Sequence, residues 1–197
     1  MSGIYLDHAA TTPMLENAIA AMDAQLRTLG NPSSLHTQGR HTRKDVEDAR
    51  EILAKELDCL ASEIIFTASG TEANNTAIKG IYWQQKALGK NVIVISAIEH
   101  HATLDPAKWL AEHEGAEVIH APVTRDGVLD LEFLRKLVAS RGSEIALISI
   151  MHANNETGAI QPIAEVVKIA GDIPVHTDAA QSFKKIPLSF KSLGVMA

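Results

Sequence analysis

The stretch Thr67-Ala68-Ser69-Gly70-Thr71-Glu72-Ala73-Asn74-Asn75 follows an apolar run, Glu63-Ile64-Ile65-Phe66-Thr67, and opens a helical pattern that reaches about Leu88. Strand, small-residue turn and helix start, in that order, make an anion site. Gly70 lets a ligand approach the backbone closely. The first amides of a helix have no acceptor of their own and carry the positive end of the dipole, so a phosphate fits there. The hydroxyls of Ser69 and Thr71 add donors. Taken alone, such a turn reads more readily as a helix cap than as a site. Three further clusters change that weighting. Glu99-His100-His101 follows the apolar run Val92–Ser96, His152-Ala153-Asn154-Asn155-Glu156-Thr157-Gly158 follows Ile145–Ile150, and Asp178-Ala179-Ala180-Gln181-Ser182 follows Val175–Thr177.

The elements that must position these groups alternate along the chain. A helix from about Pro13 to Leu29 is expected, with Thr12 as its cap and Ala18, Ala21, Met22 and Leu26 facing inward. Gly30-Asn31-Pro32-Ser33-Ser34 ends it. A charged helix from near Gln38 to Leu57 presents Val46, Ala49, Ile52, Leu53 and Leu57 on one face. Strands are then expected at Ile64–Thr67, Asn91–Ser96, Ala116–Ala121, Ile145–Ile150 and Ile173–Asp178. Helices fall between them at Thr71–Leu88, Thr103–Glu114, Leu131–Ser140 (capped by Asp130) and Gln161–Gly171. Buried β runs alternating with helices specify an α/β fold, a mostly parallel sheet covered on both faces. In such sheets ligands sit beyond the carboxyl ends of the strands, so all four polar clusters converge on one rim.

A net charge of −6 argues against a nucleic-acid footprint, which needs a basic face. Hydrophobic residues at 46% and charged residues at 21% describe a globular chain, and no apolar run approaches a membrane span. The single cysteine, Cys59, cannot form an internal disulfide, and a reducing cytoplasm is expected. No metal-ligand spacing such as His-Glu-x-x-His occurs, so no metal site is expected; His152 and His176 read as hydrogen-bonded framework and Cys59 as an inert apolar residue.

The rim would hold a phosphate cradle, an imidazole (His100), amides (Asn155, Gln181) and a strand-end carboxylate (Asp178). A carboxylate facing a protonated ring nitrogen keeps that proton in place and makes the ring an electron sink, the arrangement that pyridoxal 5'-phosphate requires. Asn155 or Gln181 can bond the ring's phenolic oxygen, and His100 can lie against the ring and move protons.

On these residues the chain resembles the amino-terminal half of a cysteine desulfurase, in the NifS/IscS-like group of class V aminotransferase-fold enzymes. The resemblance is carried by Tyr5-Leu6-Asp7-His8-Ala9-Ala10-Thr11-Thr12-Pro13, by Gly30-Asn31-Pro32-Ser33-Ser34 with His36, and by Phe66 to Asn75. It continues through Glu99-His100-His101-Ala102, Ser149 to Gly158, and His176-Thr177-Asp178-Ala179-Ala180-Gln181-Ser182. It implies the large domain of fold type I pyridoxal-phosphate enzymes, incomplete at its C-terminus, with residues 1–30 as an arm and helix and 31–197 as the major part of the cofactor domain. It implies that Gly70 and Thr71 bind the cofactor phosphate and that His100 stacks on the ring as the candidate acid/base. Asn155 would contact the ring oxygen or substrate carboxylate region, Asp178 would pair with the ring nitrogen, and Gln181 would bond the phenolic oxygen. The implied reaction takes sulfur from L-cysteine, leaving L-alanine and an enzyme persulfide that supplies Fe–S cluster or thio-cofactor assembly, in a homodimer. A selenocysteine lyase on the same scaffold and a noncatalytic dimerisation fragment are the alternative readings.

The family's cofactor-bearing lysine lies in a Ser-x-His-Lys motif, and no such motif is present; Lys184 and Lys185 follow Gln181 too closely, and Cys59 does not match the sulfur-accepting cysteine. The chain alone is therefore expected to be inactive, and either to need a complementing C-terminal polypeptide or to be a truncated product with a rearranged sheet. In the family's mixed, seven-stranded sheet the missing strands lie between Ile64–Thr67 and the rest. Their loss is expected to separate the phosphate turn from Asp178 and to leave sheet edges bare.

Overall fold

Strands buried on both faces need unbroken apolar runs. In the computed structural model, which describes residues 4–197, Val92–Ser96 (β1) and Ile145–Ser149 (β3) are buried at every position. With Glu117–Ala121 (β2) and Val175–His176 (β4) they form a four-stranded sheet in the order β2-β1-β3-β4, parallel at every pairing. The described residues divide into two compact units, one ending at Ile65 and one running Phe66–Ala197. The sheet lies in the second.

Side chains alternate across a strand, and the core divides accordingly. Ile93, Ile95 and Leu147 point to one face, where helices Gly70–Lys86 (α3) and His101–Glu114 (α4) cover them with Ile78, Tyr82, Ala107 and Leu110. Val92, Val94 and Ile148 point to the other, under Leu131–Arg141 (α5) and Ile163–Ala170 (α6), which contribute Leu134, Ile163 and Val166. Asp130 caps α5 as its position predicts, its carboxylate accepting from the amides of Glu132 and Phe133 at 3.0 Å each. A short helix, Phe190–Leu193, follows β4, and its partly buried Phe190 and Leu193 join the second core. Met196 and Ala197 donate backbone hydrogen bonds to the Val175 carbonyl, and Thr177 donates to the Ala197 carbonyl, so this edge of β4 is paired rather than bare.

The first unit consists of two helices, Glu16–Leu26 (α1) and Thr37–Leu57 (α2), with a 3-10 turn at Ala61–Glu63. His36 caps α2, its Nδ1 accepting from the Gly39 amide at 3.2 Å. Gly39 has no room for a side chain: an added Cβ would lie 2.4 Å from the Ser34 carbonyl oxygen.

Three expectations are corrected here. Ile64–Thr67 forms no strand. Ile64 is extended and its carbonyl accepts from Arg50, but among the described residues no neighbouring strand offers this segment a ladder, and an apolar run becomes a strand only where its backbone groups find partners. Helix α1 starts at Glu16 rather than after Thr12-Pro13, has no side-chain cap and buries none of its residues; Met22 is 53% and Leu26 77% exposed. Apolar spacing marks a face suited to burial, and the described residues bring no surface against it. On α2 the same holds for Val46, Ala49 and Ile52, whereas Ala54 is buried.

The phosphate turn is, further, not separated from Asp178. Asn74, one turn into α3, donates from its side-chain amide to Asp178 Oδ2 at 2.7 Å. The turn keeps its place because α3 packs onto the sheet through Ile78, Ile81 and Tyr82, a connection that does not depend on a strand at Ile64–Thr67.

Candidate cofactor site

Helix α3 begins at Gly70, with Ser69 in extended conformation as its cap. Ser69 Oγ accepts from the Glu72 amide at 3.2 Å, and the Glu72 carboxylate accepts from the Ala68 amide at 2.7 Å. These bonds hold the turn and leave the amides of Gly70 and Thr71 as the outward-pointing donors. Both residues are exposed, and a Cβ built on Gly70 meets nothing within 4 Å, so the space above the turn is open to a ligand.

Backbone pairing brings the ends of β3 and β4 alongside each other. Ile150 N donates to the His176 carbonyl, Thr177 Oγ1 to the Ile150 carbonyl, and His152 N to the Asp178 carbonyl. Asp178 is half-buried, and both its oxygens are already engaged: Oδ1 accepts from the Ala180 amide at 2.9 Å and Oδ2 from Asn74. Each keeps further lone-pair capacity for a ligand donor. Gln181, three residues on, is half-buried and accepts from Lys185 at 2.8 Å through its amide oxygen.

His100 caps α4: its Nδ1 accepts from the Ala102 amide at 3.1 Å. The capping bond needs a lone pair on Nδ1, so the proton of the neutral ring sits on Nε2, and the residue is exposed. Asn154 and Asn155 divide the labour of their loop. Asn154 is buried, donates to the Ile98 carbonyl at 2.9 Å, and accepts from the amides of Glu156 and Thr157 and from the Thr157 hydroxyl. It is structural. Asn155 is half-buried, and its amide bonds the neighbouring Glu156 carboxylate at 2.8 Å.

Two groups to which the sequence reading gave no role of their own belong to this rim. Asn74 is one. Glu99 is the other: it is 7% exposed, and its Oε1 accepts from Ser96 Oγ at 2.5 Å and from the Met151 amide at 2.8 Å, tying the His100 turn to the Asn155 loop. Its Oε2 and the Thr103 hydroxyl are buried and form no hydrogen bond of good geometry, although Thr103 lies near enough to oppose the rise of the Glu99 carboxyl. Burial pushes the Glu99 carboxyl up to about 7, helped by the nearby negative charge of Asp178 and opposed by the bonds from Ser96 and Met151. The only local signal for Glu99 was a carboxylate directly after an apolar strand. His152 and His176 pair with Ser182 Oγ and Ser149 Oγ, each at 2.8 Å. Burial lowers both imidazoles, His176 to about 4 despite Asp178 beside it, so His176 is a neutral framework residue at physiological pH.

The structure therefore brings Asp178, His100, the Asn154–Asn155 loop and, through Asn74, the Gly70–Thr71 turn to one end of the sheet. The family pattern described as Aminotransferase class-V matches residues 4–197. This chain belongs to the class-V aminotransferase family. Among its class-V relatives, the IscS-like cysteine desulfurase of Mycobacterium tuberculosis is 49% identical over 98% of the chain and 50% of the relative. Cysteine desulfurase IscS of Dictyoglomus turgidum is 47% identical over 98% and 48%. Among solved structures, a NifS-like protein superposes with a TM-score of 0.92 at 38% identity, covering 98% of this chain and 53% of that one. A structure titled SspA in complex with cysteine follows at 0.88 and 33%, covering 97% and 55%. The chain spans about half the length of the curated relatives it matches.

Proposed function

We propose that this chain forms the cofactor-holding half of a pyridoxal-phosphate-dependent cysteine desulfurase. The observation that carries the reading is the Asn74–Asp178 hydrogen bond, because it joins the helix whose first amides suit a phosphate to the carboxylate that suits a ring nitrogen. The donor set fits the cofactor: amides of Gly70 and Thr71 with the Thr71 hydroxyl for the phosphate ester, Asp178 for the pyridine nitrogen, and Gln181 and Asn155 for the ring oxygen. When bound, pyridoxal phosphate supplies an electron sink that makes bonds to the substrate's α-carbon labile. Asp178 holds the ring-nitrogen proton, and the neighbouring Ala180 amide and Asn74 keep that carboxylate oriented. With Nδ1 committed to the helix cap, His100 would be left with Nε2 to hold or pass a proton beside the bound cofactor. Asn155 orients substrate at the open side of the rim. The substrate is L-cysteine, in keeping with the names of the relatives, and the sulfur passes to an Fe–S scaffold or another acceptor. The working assembly is a cytoplasmic homodimer that includes a polypeptide corresponding to the half of the relatives not spanned here.

The test is to combine this chain with a polypeptide covering the remaining half of a relative and to measure pyridoxal-phosphate-dependent sulfide and alanine release from L-cysteine. Selenocysteine serves as the competing substrate. Release that falls at least a hundredfold in Asp178→Ala is expected. Failure of every pairing to bind the cofactor would overturn the reading, and faster turnover of selenocysteine would reassign the substrate.

A further inference from the structure

The helical period of α3 places residues 74, 78, 81, 82 and 85 on its inner face, and all five are buried. Four of these positions carry Ile78, Ile81, Tyr82 and Gln85; the first carries an asparagine, 6% exposed, at the end of the helix nearest the rim. A buried primary amide is costly unless bonded. Asn74 meets that cost with Asp178 Oδ2 at 2.7 Å, across 104 residues of chain. The orientation of the amide follows from the partner: a carboxylate offers only acceptors, so nitrogen must face it.

The structure assigns Asn74 as the positioning residue for Asp178: its amide fixes the plane of the carboxylate that receives the ring nitrogen and couples that carboxylate to the phosphate turn through α3. The assignment rests on the pyridoxal-phosphate reading above. With Oδ1 fixed by the Ala180 amide and Oδ2 by Asn74, the carboxylate has donors on both oxygens and loses its freedom to rotate about its terminal bond. Only one of these donors comes from the local chain. The other comes from the helix that begins at Gly70, and Thr71 precedes Asn74 by three residues, so the two side chains lie on neighbouring positions of one helical face. The ring's two anchoring points are thus set by one rigid body.

Pyridoxamine 5'-phosphate, which needs no lysine, tests the assignment on the chain itself. Affinity is measured by fluorescence titration for wild type, Asn74→Ala, the near-isosteric Asn74→Leu, Asp178→Ala and the double variant. Ring-nitrogen protonation is read from the 15N signal of labelled ligand, and folding from circular dichroism. Asn74→Ala or Asn74→Leu is expected to weaken binding roughly tenfold and to move the ring-nitrogen signal toward the unprotonated form. In the Asp178→Ala background the same change should cost less than twofold, since the group it positions is gone. If wild type binds and both Asn74 variants stay within twofold of it with an unmoved nitrogen signal, the assignment is overturned and the cofactor reading survives. An equal loss in the Asp178→Ala background overturns it in the same way, by showing a general structural effect. If folded wild type binds no pyridoxamine phosphate, either alone or in any pairing with the complementing polypeptide, the cofactor reading and this assignment fail together.

Discussion

At the scale of single residues, Glu99 makes the sharpest statement about pH. A carboxyl raised on folding is accommodated at no cost while protonated, so its penalty is absent below its ordinary value of 4.5 and grows as pH rises toward and through about 7. A displacement from 4.5 to about 7 corresponds to roughly 3 kcal/mol of stability lost between pH 4 and pH 8. Glu99→Gln keeps an acceptor for Ser96 and the Met151 amide while removing the titration. Urea unfolding across this range should show wild type losing stability relative to the variant; parallel profiles would show that Glu99 does not titrate in this window. Asn74 and Glu99 also mark the limit of what the residues alone disclosed. The placement of His100, Asp178 and Asn155 at one end of the sheet was legible because each stands in a polar cluster directly after an apolar run. Asn74 was hidden inside a run of small residues, and its partner lies far along the chain, so no local spacing announced it. The structural part of Asn154 has its physical content in the three bonds that its Oδ1 accepts.

At the scale of elements, α3 is held by packing rather than by the segment before it. Ile78 is fully buried against the sheet, while Leu88 beyond the helix end is 70% exposed. Ile78→Ala should therefore cost roughly 2–5 kcal/mol in urea unfolding, whereas Leu88→Ala should stay within about 0.5 kcal/mol. Similar effects of the two would remove the packing argument for the turn's position. The strands β1 and β3 were readable because their apolar runs are unbroken and their neighbours are present in the same sheet. The expected strand at Ile64–Thr67 had the same composition without the neighbour. Composition selects residues suited to a strand, and pairing decides whether one forms.

At the scale of the whole molecule, the two units differ in how much they bury. Gly39 and Ala54 are the only buried residues among those described up to Ile65, while Phe66–Ala197 carries both apolar cores. Hydrogen exchange should find the amides of α1 and α2 opening with far smaller free energies than those of β1 and β3. Equal protection in both units would contradict the burial pattern. The all-parallel sheet has one more outcome. With every strand running the same way, α4 starts at the rim as α3 does, so positive helix ends gather there on a chain whose formal charge is −6. A phosphorylated ligand is repelled at long range and attracted at close range. Added salt screens long-range repulsion beyond a Debye length of about 8 Å more than it screens direct contacts between the helix ends and a ligand. Moderate ionic strength should consequently speed capture of an anionic cofactor without loosening its hold, the reverse of the salt response of a basic binding protein.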